Sequence, residues 1–279
     1  MTKDKLHSLF YLKTFLFFLL FVLAISFVVR IYSLLKDSSF NKNTFNVLII
    51  TDKDVRVLGF DEKAKKISVL TVKNESYELR KENIMIESVK LGVPLHGYIV
   101  YPNSKQPGII DANFFSLPNL INIYLNSNIK KKNVFFLDFI KMYLVAGDIK
   151  MDTSSSILSY SSTEELDSSL PKESGEFFRD SDLSGRKTSL QVINGTSVDG
   201  LGGRIGAMFS RVGFNVVSVG TDKNADESRI YIRNNDYKID GELVKKTFDF
   251  PIELSSEYGV ASITIVIGED VEPQFEGIE

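Results

Sequence analysis

The chain has 279 residues, no Cys, two His and a formal net charge of −3. Disulfides, thiol nucleophiles and Cys-ligated zinc are therefore excluded, and His7 and His96 alone disfavour a His-rich metal centre or a Ser-His-Asp triad. A slightly acidic balance lacks the basic field of a general nucleic-acid binder, so no nucleic-acid partner is expected.

The first element is apolar. Between Lys13 and Arg30 no residue is charged, and thirteen of the sixteen are Phe, Leu, Val or Ile. Extended over 12–34, the segment rises roughly 30 Å as a helix, the thickness of a bilayer's hydrocarbon core. Its insertion is favourable by roughly 4 to 8 kcal/mol. A buried core helix and a cleaved signal peptide compete with this reading. The first would need burial all round, because no face is polar. The second should end in a small-x-small site, whereas Arg30-Ile31-Tyr32-Ser33 follows here. Charge bias across the helix is weak, so orientation rests on the short amino terminus and the long polar remainder. Residues 1–11 are read as a cytoplasmic tail, 12–34 as a single-pass anchor in the lipid bilayer, and the bulk as extracytoplasmic.

Residues 44–150 read as the first outer domain. Phe45 to Ile50 is a buried strand, and Val55–Phe60 and Ile67–Val72 complete a meander around the polar spacer 61–66. A helix is expected within 81–91, stopped by Gly92-Val93-Pro94 before a strand at Tyr98–Tyr101. Phe114–Leu125 and Val134–Ala146 have helical length. The second carries Asp138 and Lys141, which makes it a core helix and not another span.

Residues 151–187 are rich in Ser and acids and poor in apolar residues, the composition of a flexible linker, with Ile157–Leu170 as the part that can cap the preceding domain. The domain after it, 188–270, is the most legible part, and 271–279 is a tail. Leu190–Ile193 is a strand, and Asp199 is the expected cap of the following helix. Leu201, Ile205, Met208, Phe209 and Val212 fall on one face of that helix, which Gly213 stops. Strands at 214–219 and 229–232 follow. Ile239, Leu243 and Phe248 mark a second helix, and alternation over 260–267 marks a half-buried strand. The fold class is α/β (α+β): a transmembrane helix, then two α/β sandwich domains, the second β-α-β-β-α-β.

Chemistry-bearing patterns are few. The turn Asn194-Gly195-Thr196-Ser197-Val198-Asp199-Gly200, leading to Arg204, can either present backbone N–H groups to an anion or use its glycines to relieve crowding between strand and helix. Asn194, Gly195, Thr196, Gly200 and Arg204 are the candidate ligand-binding residues. Asn194-Gly195-Thr196 also fits a glycosylation acceptor. Asp52, Asp54, Asp61 and Glu75 lie near strand ends, where a magnesium ion is one reading and solvated loop acids the favoured one. Lys130-Lys131-Lys132 reads as a solvated loop, with a glycan or lipid contact as the lesser alternative. No catalytic residue, metal site or cofactor is assigned.

Leu190-Gln191-Val192-Ile193-Asn194-Gly195-Thr196, Gly200-Leu201, Arg204, Gly213-Phe214-Asn215-Val216 and Ile263–Gly268 resemble the LytR C-terminal domain of bacterial envelope proteins. That module is regarded as an accessory, ligand-binding unit without assigned catalytic residues. Residues 44–150 resemble a reduced LytR–CpsA–Psr domain, through Asn46–Ile50 and the strands carrying Asp61, Lys65 and Ser68-Val69-Leu70. Active members of that family transfer glycopolymers from polyprenyl pyrophosphate to peptidoglycan with magnesium, using a Pro-Arg-Asp-Thr segment. Here Asn74 and Glu75 stand in its place, and an Arg-Ser-Asp-Thr-like segment is missing. Asn lacks the planar fork by which Arg grips pyrophosphate. Arg56, on an alternating strand, is expected to face solvent. The resemblance implies a non-catalytic binding or scaffolding component of cell-wall assembly, with cell-wall glycan or envelope assembly proteins as partners. The alternatives are a divergent glycopolymer transferase and a peptidoglycan-binding module.

Overall fold

The computed structural model describes residues 3–37, 44–51, 54–62, 65–73, 83–102, 113–148, 158–160, 178–222 and 225–275. It is a mixed α/β protein with two sheets and one long amino-terminal helix, α1 (Lys3–Asp37). Within α1 the window Leu12–Val29 has a mean hydropathy of 2.6 and is 0% buried. The rest of the protein therefore does not bury that window, and its length and composition suit a membrane span.

The first sheet has the order β5-β4-β1-β2-β3-β6. Strands β1 (Thr44–Ile50), β2 (Asp54–Asp61) and β3 (Lys66–Lys73) form the expected antiparallel meander. Helix α2 (Ile84–Leu91) leads to β4 (Gly97–Val100), which pairs parallel to β1. Helix α3 (Leu117–Leu125), β5 (Lys130–Lys132) and α4 (Phe136–Asp148) follow. The 151–187 stretch supplies β6 (Leu158–Tyr160), which pairs parallel to β3. Because side chains alternate across a strand, each face of the sheet builds its own core. Phe45, Val47, Ile49, Leu58 and Phe60 pack with α3 and α4. Leu48, Ile50, Val57 and Leu70 pack with Ile84 and Leu91 of α2.

Asn83 caps α2 by accepting from the Met85 N–H at 3.0 Å, and Gly92 ends it at φ 60°. The helix is apolar on two sides. Met85, Ile86 and Val89 belong to the core of the second domain, so α2 is shared between the two. Phe178, buried against the first sheet, lies over Gly59, where a Cβ would stand 2.5 Å from the ring. Asp180 caps α5 (Ser181–Arg186), and Leu183 is fully buried in the second core. The Thr44 hydroxyl donates to Asp180 at 3.0 Å. The carboxy-terminal end of the Ser/acid-rich stretch is thus packed structure that joins the two domains. Residues 161–177 lie outside the described residues.

In the second domain β7 (Ser189–Asn194), α6 (Leu201–Val212), β8 (Asn215–Thr221), β9 (Arg229–Ile232), α7 (Lys238–Phe248), β10 (Ile252–Leu254) and β11 (Ile263–Ile267) build a sheet ordered β10-β9-β11-β7-β8. The expected β-α-β-β-α-β order is present with one addition, the short edge strand β10. All five expected positions on α6 are buried, and Gly213 ends the helix at φ 124°. On α7, Leu243 and Phe248 are buried while Ile239 is exposed. Strand β11 is buried on both faces, not half-buried, because the loop at Gly259 closes over Thr264.

Candidate functional site

The Asn194 turn is a closed unit. The Asn194 Oδ1 accepts from the Thr196 N–H at 3.1 Å and from its hydroxyl at 2.7 Å, and Nδ2 donates to the Val198 carbonyl at 3.0 Å. The Val198 N–H donates to the Thr196 hydroxyl oxygen at 3.2 Å. Gly195 donates its N–H to the Ile267 carbonyl at 2.7 Å. A Cβ on Gly195 would lie 2.6 Å from the Ala225 Cβ and 2.8 Å from that carbonyl, so this glycine permits close approach of two chain segments. Gly200, not Asp199, caps α6, at φ 72° and without a side-chain hydrogen bond. Arg204 lies exposed on the outer side of the first turn of α6, and its N–H donates to the Gly200 carbonyl at 3.0 Å.

Ser197 has the contact that the sequence did not signal. Its N–H donates to Glu272 at 3.0 Å, and its hydroxyl bonds the same carboxylate. Those two bonds hold the Glu272 carboxyl below its usual range. Glu272 starts α8 (Glu272–Phe275), which Phe275 anchors in the second core. The Ser197 N–H and hydroxyl are therefore taken by a protein carboxylate.

On the opposite side of the second sheet, Tyr231 of β9 stacks on Tyr258 with ring centroids 4.0 Å apart and planes 20° from parallel. Gln191 secures the loop that carries Tyr258 by accepting from the Val260 N–H at 2.9 Å. Burial raises the Tyr258 pKa first, and Tyr231 and Asp222 add to the effect. The two rings are 27 positions apart in sequence (258 minus 231), and no spacing rule pairs them.

In the first domain, the Thr51 hydroxyl donates to Asp54 Oδ1 at 2.8 Å, and Arg56 Nη2 lies 2.6 Å from Asp54 Oδ2. Both charged side chains are only 17% exposed. Arg56 opposes Ile49 and so lies on the α3/α4 side of the sheet. The expectation that it faces solvent is corrected: the Asp54 carboxylate draws it in and offsets the cost of its burial. Asp61 is buried with a partner of its own. Asp52, Asn74 and Glu75 lie outside the described residues. Among the described residues, no group of three or more His, Asp or Glu is arranged to hold a metal ion.

His96 is a buried polar group that carries no role in this site. Its Nδ1 accepts from the Asn46 N–H at 2.8 Å, which assigns the proton to Nε2, and the ring stacks on Phe45. Nε2 has no partner among the described residues. Burial, with Lys246 nearby, lowers its pKa to about 3.

Residues 187–270 match the family model described as LytR cell envelope-related transcriptional attenuator. The second domain is thus of the LytR C-terminal family. No curated protein and no solved structure matches the chain. The LytR C-terminal match starts within the packed segment that follows α5 and ends two residues before Glu272. The carboxylate held by Ser197 is therefore contributed by chain outside the matched region. The family relates this domain to the cell envelope.

Proposed function

We propose that this protein is a single-pass envelope protein, anchored by α1 with its bulk outside, and a non-catalytic binding or scaffolding component of cell-wall assembly. The observation that carries the proposal is the LytR C-terminal match over residues 187–270. The exposed apolar helix supports the anchor. In the first domain, a degenerate relative of LytR–CpsA–Psr enzymes on this reading, Arg56 is committed to Asp54 and is not presented to a ligand. A polyprenyl-pyrophosphate transferase must stabilise a highly charged leaving group with preorganised cations. The partners fitted to such a component are cell-wall glycan or other envelope assembly proteins.

Two measurements test this. Protease added to intact spheroplasts should digest nearly all of the chain and leave a small membrane-bound stub. Full protection of the second domain would place it in the cytoplasm. The purified protein should show no glycopolymer transfer from a lipid-pyrophosphate donor. Magnesium-dependent transfer abolished by Glu75→Gln would establish the transferase alternative instead.

A further inference from the structure

A sheet edge leaves backbone N–H and C=O groups without a strand, and folded proteins blunt such edges with short strands, lysines or Pro. Three of the four edges described follow this pattern. Strands β5, β6 and β10 have three residues each, and those of β5 are all lysines. Strand β8 does not follow it. It runs for seven residues, Asn215-Val216-Val217-Ser218-Val219-Gly220-Thr221, with neither a charge nor a Pro.

Among the described residues β8 pairs only with β7, in parallel, with Val217 as an extra residue between Val216 and Ser218. Its other side is open. Val217 and Val219 are 49% and 48% exposed, and every residue of the strand is exposed or half-buried. A bulge bends its strand; here the extra residue is an exposed valine, so the bend brings apolar surface to the edge and no charge. Helix α6 covers β8 with glycines, and a Cβ on Gly202 or Gly206 would stand 3.2 or 3.0 Å from the Val219 side chain. Around the Cβ position of Gly203 no atom lies within 4 Å, so the helix leaves room beside the edge.

The strand is close to self-complementary. Counted outward from Ser218, its neighbours are two valines, then Val216 and Gly220, then the polar Asn215 and Thr221. Antiparallel pairing of two copies about Ser218 sets Val217 opposite Val219, a favourable β-branched pair, and sets Asn215 opposite Thr221. No like charges meet. Identical antiparallel strands are related by a twofold axis perpendicular to their sheet, so the helix sides of both sheets face the same way. The first domain is joined to that helix side through Met85, Ile86 and Val89 of α2. Both first domains would then lie on one side of the joined sheet, and both α1 helices could enter one membrane.

We propose that β8 pairs antiparallel with β8 of a second copy of this chain, the strands crossing at Ser218 and joining two five-stranded sheets into one. The choice of a second copy draws on the anchor reading given above; the free edge does not.

The chain has no Cys, so each single-Cys variant reports from one place. Full-length protein in detergent micelles would be oxidised with copper–phenanthroline and run on non-reducing gels. Opposed residues of antiparallel strands have Cα atoms about 4.5–5.5 Å apart, within the roughly 4.4–6.8 Å that a disulfide spans. Ser218→Cys should therefore link to itself. Asn215→Cys should not, because the two copies of that position lie six residues apart along the paired strands, about 20 Å. It should link to Thr221→Cys when the two variants are mixed. Leu254→Cys, on the exposed edge at β10, is the control and should stay monomeric. Val217→Lys adds the charge that the edge lacks, and should abolish the Ser218→Cys dimer while the melting temperature stays that of the parent. Linking at 254 as fast as at 218 would reduce the dimer to random collision and overturn the pairing. Self-linking of Asn215→Cys, a dimer that survives Val217→Lys, or a Ser218→Cys chain that stays monomeric would overturn it as well. If Ser218→Cys in intact membranes links instead to a different protein, the edge belongs to that partner and not to a second copy. Protease protection in spheroplasts tests the anchor separately, so a monomer with an intact anchor refutes the pairing alone.

Discussion

Truncating Ile86 should destabilise both domains at once. Its side chain is 1% exposed and sits in the second core, although α2 belongs in sequence to the first domain. Replacement by Ala deletes the outer carbons of a buried branched side chain where α2, α6 and α7 meet. The cost of Ile→Ala at such a site is about 2–5 kcal/mol, a large part of the 5–15 kcal/mol that ordinarily separates folded from unfolded chains. For a folded region of this size each kcal/mol lowers Tm by about 2–4 °C, so a drop of about 10 °C is expected. Scanning calorimetry on the full chain in detergent would measure it, with near-UV circular dichroism following the tyrosines. The parent should melt in one transition, and Ile86→Ala should move that transition as a whole. Leu144→Ala, at an exposed position, should leave it nearly unchanged. Two separate transitions in the parent, with Ile86→Ala lowering only one, would refute the shared core.

Three further outcomes follow from individual sites. His96 is held neutral by burial, with a folded pKa of about 3 against 6.5 when unfolded, so the unfolded state binds more protons between those values. Stability should be full above about pH 6.5 and fall as the pH drops towards 3, and urea melts of His96→Gln should show a flatter acid limb. Gly195→Ala places a methyl group against Ala225 and the Ile267 carbonyl, and should cost about 1–3 kcal/mol in urea unfolding. Limited proteolysis should yield a carboxy-terminal fragment that retains Phe178 to Lys187, because Phe178 and Leu183 are buried; a stable fragment starting at Thr188 would show that these contacts contribute little.

Much of the second domain was legible because its helices are one-sided. Helix α6 shows a polar outer face and a continuous apolar stripe, and the Gly213 stop lies where the stripe ends. Helix α2 was harder to place. It is apolar on both sides because it fills two cores, and periodicity reports that a residue is apolar without saying which core it enters. Strand β10 has three residues, too few to show alternation. The packed segment 178–187 was hidden by its composition, since Phe178 and Leu183 are isolated apolar residues among Ser, Arg and acids. Arg56 was misplaced because the alternation rule assigns a charge to the solvent side and takes no account of a carboxylate two residues away on the same face.

The candidate ligand residues illustrate the same limit from the chemical side. A Gly-rich turn between a strand and a helix offers donors to an anion only where the fold has not already used them. Here Asn194 and Thr196 bond each other, Gly195 bonds β11, and Ser197 holds Glu272. Asn194, Gly195 and Thr196 therefore close the turn and tie the end of β7 to β11. A side chain that reaches solvent is better placed to meet a partner than one whose polar atoms are satisfied internally. On that criterion Arg204, exposed on α6, retains its claim. The Tyr231–Tyr258 pair is half-buried. It lies on the face of the second sheet that α6 and α7 leave uncovered, on a domain whose other side is joined through α2 to the first.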